Sequence, residues 1–353
     1  MKAALLGLMQ SGKSTIIAAV SGKEVPQAGV VQIAEAIVPV RDERIEWLDD
    51  LYKPKKKVYA TMDSLDLPGV SFADEHTRAA ARRLINKIRT VDLLVLVLKA
   101  FGEGGIEAAK KDLSELKTEL LLADLEMVET RIERLEKQKN KPSKDQAKEK
   151  AEYELQLKLR QTIEDEKSIK DAIETDAELD LIKSLGFLTL KPISVVVNVG
   201  EDQAGAEFDK SAFAELIDES TPIVSLCAEL EYELSQLDDA SRAEFMADMG
   251  IAAPAAIKVV QSCYSALGLI SFLTVGKDEV RAWPIASGTT AVDAAGKIHS
   301  DIQRGFIRAE TMSYEDLKEL GDEKAVKAAG KTRLEGKSYV VQDGDIINFR
   351  FNV

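Results

Sequence analysis

Residues 7–14 read Gly7-Leu8-Met9-Gln10-Ser11-Gly12-Lys13-Ser14 and satisfy the pattern GxxxxGK[ST]. A chance match in a chain of this length has odds of about one in a hundred from average residue usage. The pattern has a physical use in one context only: a strand must lead into it and a helix must leave it. Both are signalled here, by the apolar Ala3–Leu6 and by a helical start over Lys13–Val20. In that setting the glycines let backbone N–H groups turn inward onto phosphate oxygens, and the helix N-terminus adds partial positive charge. Lys13 is placed to reach the β- and γ-phosphates, and the Ser14 hydroxyl to ligate Mg²⁺. Gly7, Gln10, Ser11, Gly12, Lys13, Ser14 and Thr15 are therefore the candidate phosphate-binding residues.

Strand and helix signals alternate through the rest of the first half. Tyr59–Leu65 leads into Asp66, Leu93–Leu98 is a continuous apolar run, and Ile193–Val197 and Ile223–Leu226 repeat that texture. Such runs mark strands covered on both faces, so a mostly parallel sheet in an α/β domain is expected over 1–106 and 185–272. Residues 107–184 interrupt it. They contain no glycine, and Leu121, Leu125, Val128, Ile132 and Leu135 follow a heptad seam. Asn140-Lys141-Pro142-Ser143 breaks the helix, and Leu155, Leu159 and Ile163 mark a second one. An inserted antiparallel helical hairpin is expected. From 273 to 353 short β-forming stretches (Val280–Ile285, Gly305–Glu310, Tyr339–Val341, Ile346–Phe351) alternate with turns around one helix, Tyr314–Gly321, as a small α+β module.

Composition removes several classes. No apolar run approaches the roughly 20 residues that span a bilayer. The two cysteines, Cys227 and Cys263, form no CxxC, and the two histidines, His76 and His299, lie far apart. A disulfide scaffold and a His-based zinc site are thus disfavoured. A reducing, cytoplasmic setting and an oxygen-bound Mg²⁺ arriving with nucleotide are expected. A net charge of −14 argues against nucleic-acid binding by the whole surface. Residues 273–353 hold 12 Lys/Arg against 13 Asp/Glu, so that module is nearly neutral and is the part able to approach RNA.

Two further motifs acquire meaning after a P-loop. Asp66-Leu67-Pro68-Gly69 follows a strand and reads DxxG, with Asp66 the natural second Mg²⁺ contact and Gly69 near the γ-phosphate. Asn198-Val199-Gly200-Glu201 stands where guanine-binding proteins carry NKxD. Val199 replaces the lysine whose stem covers the base, and Glu201 is too long to hold the bidentate distance of an aspartate. Adenine, or relaxed specificity, is expected. Cys227-Ala228-Glu229 follows the next strand, where a backbone N–H reaches the base, making Ala228 and Glu229 candidates alongside Asn198, Val199 and Glu201.

These residues together resemble the Obg-like ATPase family, the YchF group of translation-factor-class P-loop proteins. The similarity is dense over 112–137, in NVGED, over SLCAELEYELSQLDDASRAEFMADMGI, and from Ile270 to Val353. The resemblance implies a P-loop domain, a coiled-coil arm and a C-terminal β-grasp domain of the TGS type. It also implies ATP preferred over GTP, Mg²⁺ dependence, and the ribosome (its large subunit) or RNA as partner.

The match thins at the switches. By the resemblance, the threonine that closes over Mg²⁺ corresponds to Val30, and the histidine that helps position water corresponds to Lys87. The glycine-rich second switch is missing after Gly69, while Val70 keeps the family's apolar residue where Ras-like proteins have a glutamine. His76 lies in the shortened switch, either as a substitute histidine or, as is commoner for a lone histidine at a polar helix start, simply solvated. Lys13, Asp66, Gly69 and Lys87 are the candidate catalytic residues, and Ser14 and Asp66 the candidate metal ligands. Two functions follow: a slow ATPase or GTPase switch, or a hydrolysis-deficient paralogue acting as a nucleotide-responsive adaptor. A small-molecule kinase is disfavoured by the TGS-like tail and by NVGE.

Overall fold

The computed structural model describes residues 1–22, 24, 33–138, 145–206, 208–249, 251 and 253–352. The chain runs β1 (Lys2–Leu6), α1 (Lys13–Ser21), β2 (Ala34–Val40), α2 (Glu43–Tyr52), β3 (Lys56–Val58), β4 (Ala60–Asp66), α3 (Glu75–Lys87), β5 (Leu93–Lys99), α4 (Gly105–Gln138), α5 (Gln146–Glu164), α6 (Asp176–Ile182), β6 (Ile193–Asn198) and β7 (Ile223–Leu226). It continues through α7 (Ala228–Gln236), α8 (Asp239–Asp248), α9 (Ala255–Ala266), β8 (Leu269–Thr274), β9 (Glu279–Ala286), α10 (Ala291–Ile298), α11 (Ser300–Arg304), β10 (Phe306–Ser313), α12 (Tyr314–Leu320), α13 (Glu323–Ala328), β11 (Arg333–Glu335) and β12 (Asp345–Phe351).

The chain divides into two compact units, residues 1–36 with 64–256, and 37–63 with 257–353. A six-stranded sheet has the order β2-β4-β1-β5-β6-β7, and the pairs β1–β5, β5–β6 and β6–β7 are parallel. Every residue of β5 from Leu93 to Leu98 is buried, as its continuous apolar run requires when helices cover both faces. One core gathers Leu6, Leu67, Val70, Leu94, Leu96, Val195 and Val197 with Leu113, Leu116 and Leu120 of α4.

That last group refines the expected arm. Helix α4 has 34 residues, a span of about 50 Å at 1.5 Å per residue. Its first half packs on the sheet core. Beyond it, Val128 and Ile132 join Leu155, Leu159 and Ile163 of α5 in a separate core. The hairpin therefore leaves the α/β body part-way along α4 rather than at residue 107. Its helices are tied by Arg131 to Glu152 (2.6 Å) and by Tyr153 to Glu136 (2.9 Å). The expected break at Asn140–Ser143 lies outside the described residues.

At the arm's base, Asp124 is fully buried and its carboxylate is saturated. It accepts from Arg89 Nη1 (2.6 Å), from the N–H groups of Leu188 and Thr189, and from the Thr189 hydroxyl. The same guanidinium caps the Ala123 carbonyl (2.7 Å). A charge taken this far from water is tolerated only with such complete pairing.

The second unit departs from the expected 273–353 module in two ways. First, its six-stranded sheet, β11-β10-β12-β8-β9-β3, recruits an edge strand from residues 56–58, parallel to β9. Helix α2 comes with that strand: Trp47 meets Tyr314 edge-on at 5.5 Å, Arg44 pairs with Asp343 at 2.8 Å, and Tyr52 donates to Glu323. Second, α10, α11 and α13 accompany the single expected helix, and Tyr339–Val341 forms only an isolated bridge from Val340 to Thr290. Phe272, Phe306 and Phe349 fill its core with Ala291, Ala294 and Ala295 of α10.

Candidate functional site

The loop between β1 and α1 takes the form its sequence demands. Gly12 has φ +92°, and a methyl group there would stand 2.2 Å from Asn198 Nδ2. Gln10 has φ +60°, a left-handed conformation uncommon for a residue with a side chain, and such local strain is concentrated at functional loops. Lys13 is buried and curls over the loop. Its ammonium donates to the carbonyls of Gly7 (2.9 Å) and Leu8 (3.0 Å) and contacts Ser11 Oγ at 3.3 Å. Burial lowers this ammonium to about 8, against the opposing charge of Asp66. A bound phosphate would restore it.

Strand β4 delivers Asp66 to the start of α1, where it accepts from the Ser14 hydroxyl at 2.6 Å. Its other oxygen, Oδ1, is buried without a hydrogen-bond partner. Burial raises the Asp66 carboxyl, while Ser14 and Lys13 oppose that shift. A half-satisfied carboxylate beside a hydroxyl and an ammonium suits a hard cation carried by phosphate oxygens. Among the described residues no three His, Cys, Asp or Glu side chains converge on a metal position. The donor set therefore fits Mg²⁺ held by one carboxylate, one hydroxyl, phosphate and water.

Gly69 and Val70 lie on the P-loop backbone. The Met9 N–H donates to the Val70 carbonyl (3.0 Å), and the Val70 N–H to the Gly7 carbonyl (3.3 Å). A methyl group on Gly69 would come within 2.8 Å of Met9 Cα, so only glycine permits this approach. The Val70 side chain is buried in the sheet core and carries no polar group.

Asn198 proves to be a brace. Its Nδ2 donates to the Ser11 carbonyl (3.0 Å), and its Oδ1 accepts from the Ala228 N–H (2.9 Å). The side chain ties the P-loop, the end of β6 and the start of α7 together. This adds a structural role to one sequence expectation and corrects another. Each polar end of Asn198 holds a backbone group while keeping one further N–H and one further lone pair, and the Ala228 N–H is already committed. Val199 is corrected as well: it is buried and its side chain belongs to the sheet core. Glu201 and Glu229 are exposed at the first turns that follow β6 and β7, and Thr15 is half-buried in α1.

Lys87 is not brought to the site. Helix α3 starts with a capping box at Asp74 and runs unbroken to Lys87, which is exposed in its last turn. Twelve residues of helix put Lys87 about 18 Å beyond Glu75. His76 is exposed in the first turn of the same helix. Val30 lies outside the described residues. One residue at the site escaped the sequence altogether. Arg78, in α3, donates to the Phe72 carbonyl (3.0 Å) in the loop after Gly69. No motif signals an arginine in that role.

Residues 2–142 match the family model described as a 50S ribosome-binding GTPase. Residues 269–352 match the C-terminal domain model of YchF GTPases, described as a protein of unknown function. The ribosome-binding ATPase YchF of Bacillus subtilis is 36% identical over 365 residues, covering 99% of both chains. The chain belongs to the YchF family. Obg-like ATPase 1 of rice (Oryza sativa subsp. japonica) is also 36% identical, over all of this chain and 92% of its own. The solved YchF GTPase of Schizosaccharomyces pombe superposes with a TM-score of 0.79 at 28% identity, covering 99% of this chain and 97% of that one. YchF membership accounts for a P-loop nucleotide-binding α/β body with a helical insertion and a C-terminal sheet domain. No helix among the described residues is long and apolar enough to cross a membrane.

Proposed function

We propose that this YchF-family chain is a Mg²⁺-dependent, ATP-preferring switch that associates with ribosomes and hydrolyses nucleotide slowly. The observation that carries the reading is the convergence of Lys13, Ser14 and Asp66, with Asp66 Oδ1 buried and unpartnered. Lys13, the P-loop N–H groups and the cation would hold the phosphates. The cation, when bound, would neutralise the charge that develops between the β- and γ-phosphates. Gly69 would face the γ-phosphate. Adenine preference is supported by Val199 and Glu201 in place of the lysine and aspartate that read guanine. Ribosome association, with the large subunit or its RNA as the contact, is supported by the names of the relatives and by the near-neutral C-terminal sequence.

A second reading, a nucleotide-responsive adaptor without turnover, is favoured by one observation: neither Val70 nor Lys87 offers a group to orient water. Single-turnover hydrolysis with bound nucleotide quantified separates the two. We expect slow turnover that Val30→Thr accelerates and Lys87→His leaves unchanged, because Lys87 stands a helix length away. Turnover of a few per second without a partner contradicts slow hydrolysis. No turnover in the wild type and in Val30→Thr favours the adaptor.

A further inference from the structure

We propose that Glu119 and Arg78 are positioning residues that couple the loop after Gly69 to the helical arm, so that the arm's orientation and the nucleotide site control one another. This rests on the reading that Lys13, Ser14 and Asp66 bind nucleotide.

The link is a continuous set of contacts within the α/β body. At one end, Val70 is hydrogen-bonded to Met9 and Gly7 of the P-loop. Two residues later the Phe72 side chain is buried in the sheet core, and its carbonyl accepts from Arg78 Nη2. The Nε of that guanidinium contacts Glu119 Oε1 at 2.9 Å. Arg82, one helical turn further along α3, takes the other oxygen of Glu119 at 3.3 Å and reaches Glu126 at 2.6 Å. Glu119 is therefore held by two arginines of the helix that follows DxxG. Its side chain is only 5% exposed, whereas those of Arg78 and Arg82 are 45% and 26% exposed. The carboxylate is the buried, fixed member of the cluster.

Glu119 sits on α4, which continues unbroken into the arm. One turn beyond it Asp124 anchors α4 to Arg89 of the α3 end and to Leu188 and Thr189, where the chain returns from the arm. The helix is thus clamped on both sides at the level where it leaves the body. A twist or tilt of the arm is delivered at Glu119, and Arg78 carries it to the Phe72 carbonyl. In the reverse direction, a γ-phosphate that draws Gly69 and displaces Val70 from Met9 pulls on the same guanidinium. The buried carboxylate, held by both arginines at once, ties α3 to α4 at this point. Coupling free energies between sites are reciprocal, so either end must sense the other.

The test uses the full-length chain with Glu119→Gln, Arg78→Ala and Arg78→Lys. Glu119→Gln preserves size and one hydrogen bond, so a folded protein is obtained if Arg78→Ala fails to fold. Three quantities are read: the Mg-ATP dissociation constant, the single-turnover rate per bound nucleotide, and hydrogen exchange in residues 69–74 and 127–138 with and without nucleotide. In the wild type nucleotide is expected to change exchange in both segments. Glu119→Gln and Arg78→Ala are expected to change ATP affinity by about fivefold or more, to alter the turnover rate, and to abolish the nucleotide response of 127–138. Arg78→Lys, which reaches one partner but not both, should recover only part.

Absence of ATP binding in the wild type defeats the nucleotide-site reading itself, and this inference with it. If ATP binds but residues 127–138 respond identically in wild type and variants, or do not respond at all, the coupling is wrong while the binding site stands. A lower melting temperature with unchanged turnover and unchanged exchange response assigns the cluster a purely structural role and also overturns the proposal. A wild type that binds without turnover leaves the exchange response to decide.

Discussion

Replacing Asn198 with alanine distinguishes a brace from a base reader. Asn198 is buried and holds two backbone groups, the Ser11 carbonyl and the Ala228 N–H. Alanine removes both partners at once. Each buried group left unsatisfied costs about 1–3 kcal/mol, so about 2–6 kcal/mol of stability should be lost, less whatever an entering water recovers. The loss also frees the P-loop from α7, so affinity for every nucleotide should fall by a common factor. Urea unfolding followed by circular dichroism gives the first quantity, and competition against a fluorescent nucleotide gives the second. A stability loss under about 0.5 kcal/mol, the range of an ordinary surface change, would refute the bracing argument. So would a changed ratio of ATP to GTP affinity, since that is the signature of a side chain touching the base.

Three further outcomes follow from the same geometry. ATP should displace the fluorescent nucleotide at least about tenfold better than GTP, a difference of about 1.4 kcal/mol; equal displacement refutes the adenine preference. Lys13 titrates near 8 in the free protein against 10.5 for an unperturbed lysine. The unfolded chain thus binds more protons between those values, and this residue's contribution to free-protein stability rises with pH across that window. Phosphate binding should reverse the shift and take up a proton near pH 8.5, seen as a binding enthalpy that changes with the buffer's ionisation heat; no buffer dependence contradicts it. Arg89→Ala should destabilise the chain by about 3–5 kcal/mol, because it strands the buried Asp124 carboxylate; a loss under about 1 kcal/mol, as for an exposed pair, defeats that account.

The parallel sheet was legible because its strands are continuous apolar runs that only two-sided burial explains. Leu93–Leu98 and Ile193–Val197 needed no partner to be recognised. Strand β3 shows the opposite case. Lys56-Lys57-Val58 carries no apolar pattern, and its strand conformation comes from pairing with Glu279–Arg281, more than 200 residues away. Helix α2 has a local signal in its Asp42 cap, but its packing on Tyr314 and Asp343 depends on contacts no window of sequence contains. At the site, the P-loop and DxxG residues were readable because phosphate and cation chemistry fixes residue types at fixed spacing. The bracing role of Asn198 and the core position of Val199 were missed for a related reason. Their positions were recognised from the motif, but whether a side chain faces ligand or core is settled by register. The asparagine points to the P-loop and the valine into the sheet.

Calorimetric titration of Mg-ATP into the wild type and into Lys13→Ala tests the central claim most directly. Lys13 stands over the loop rather than in the hydrophobic core, so the variant should keep wild-type circular dichroism. The wild type should bind one ATP per chain, and the variant should show no measurable binding. Unchanged ATP affinity in a folded Lys13→Ala protein would contradict the account, as would a wild type that binds no nucleotide.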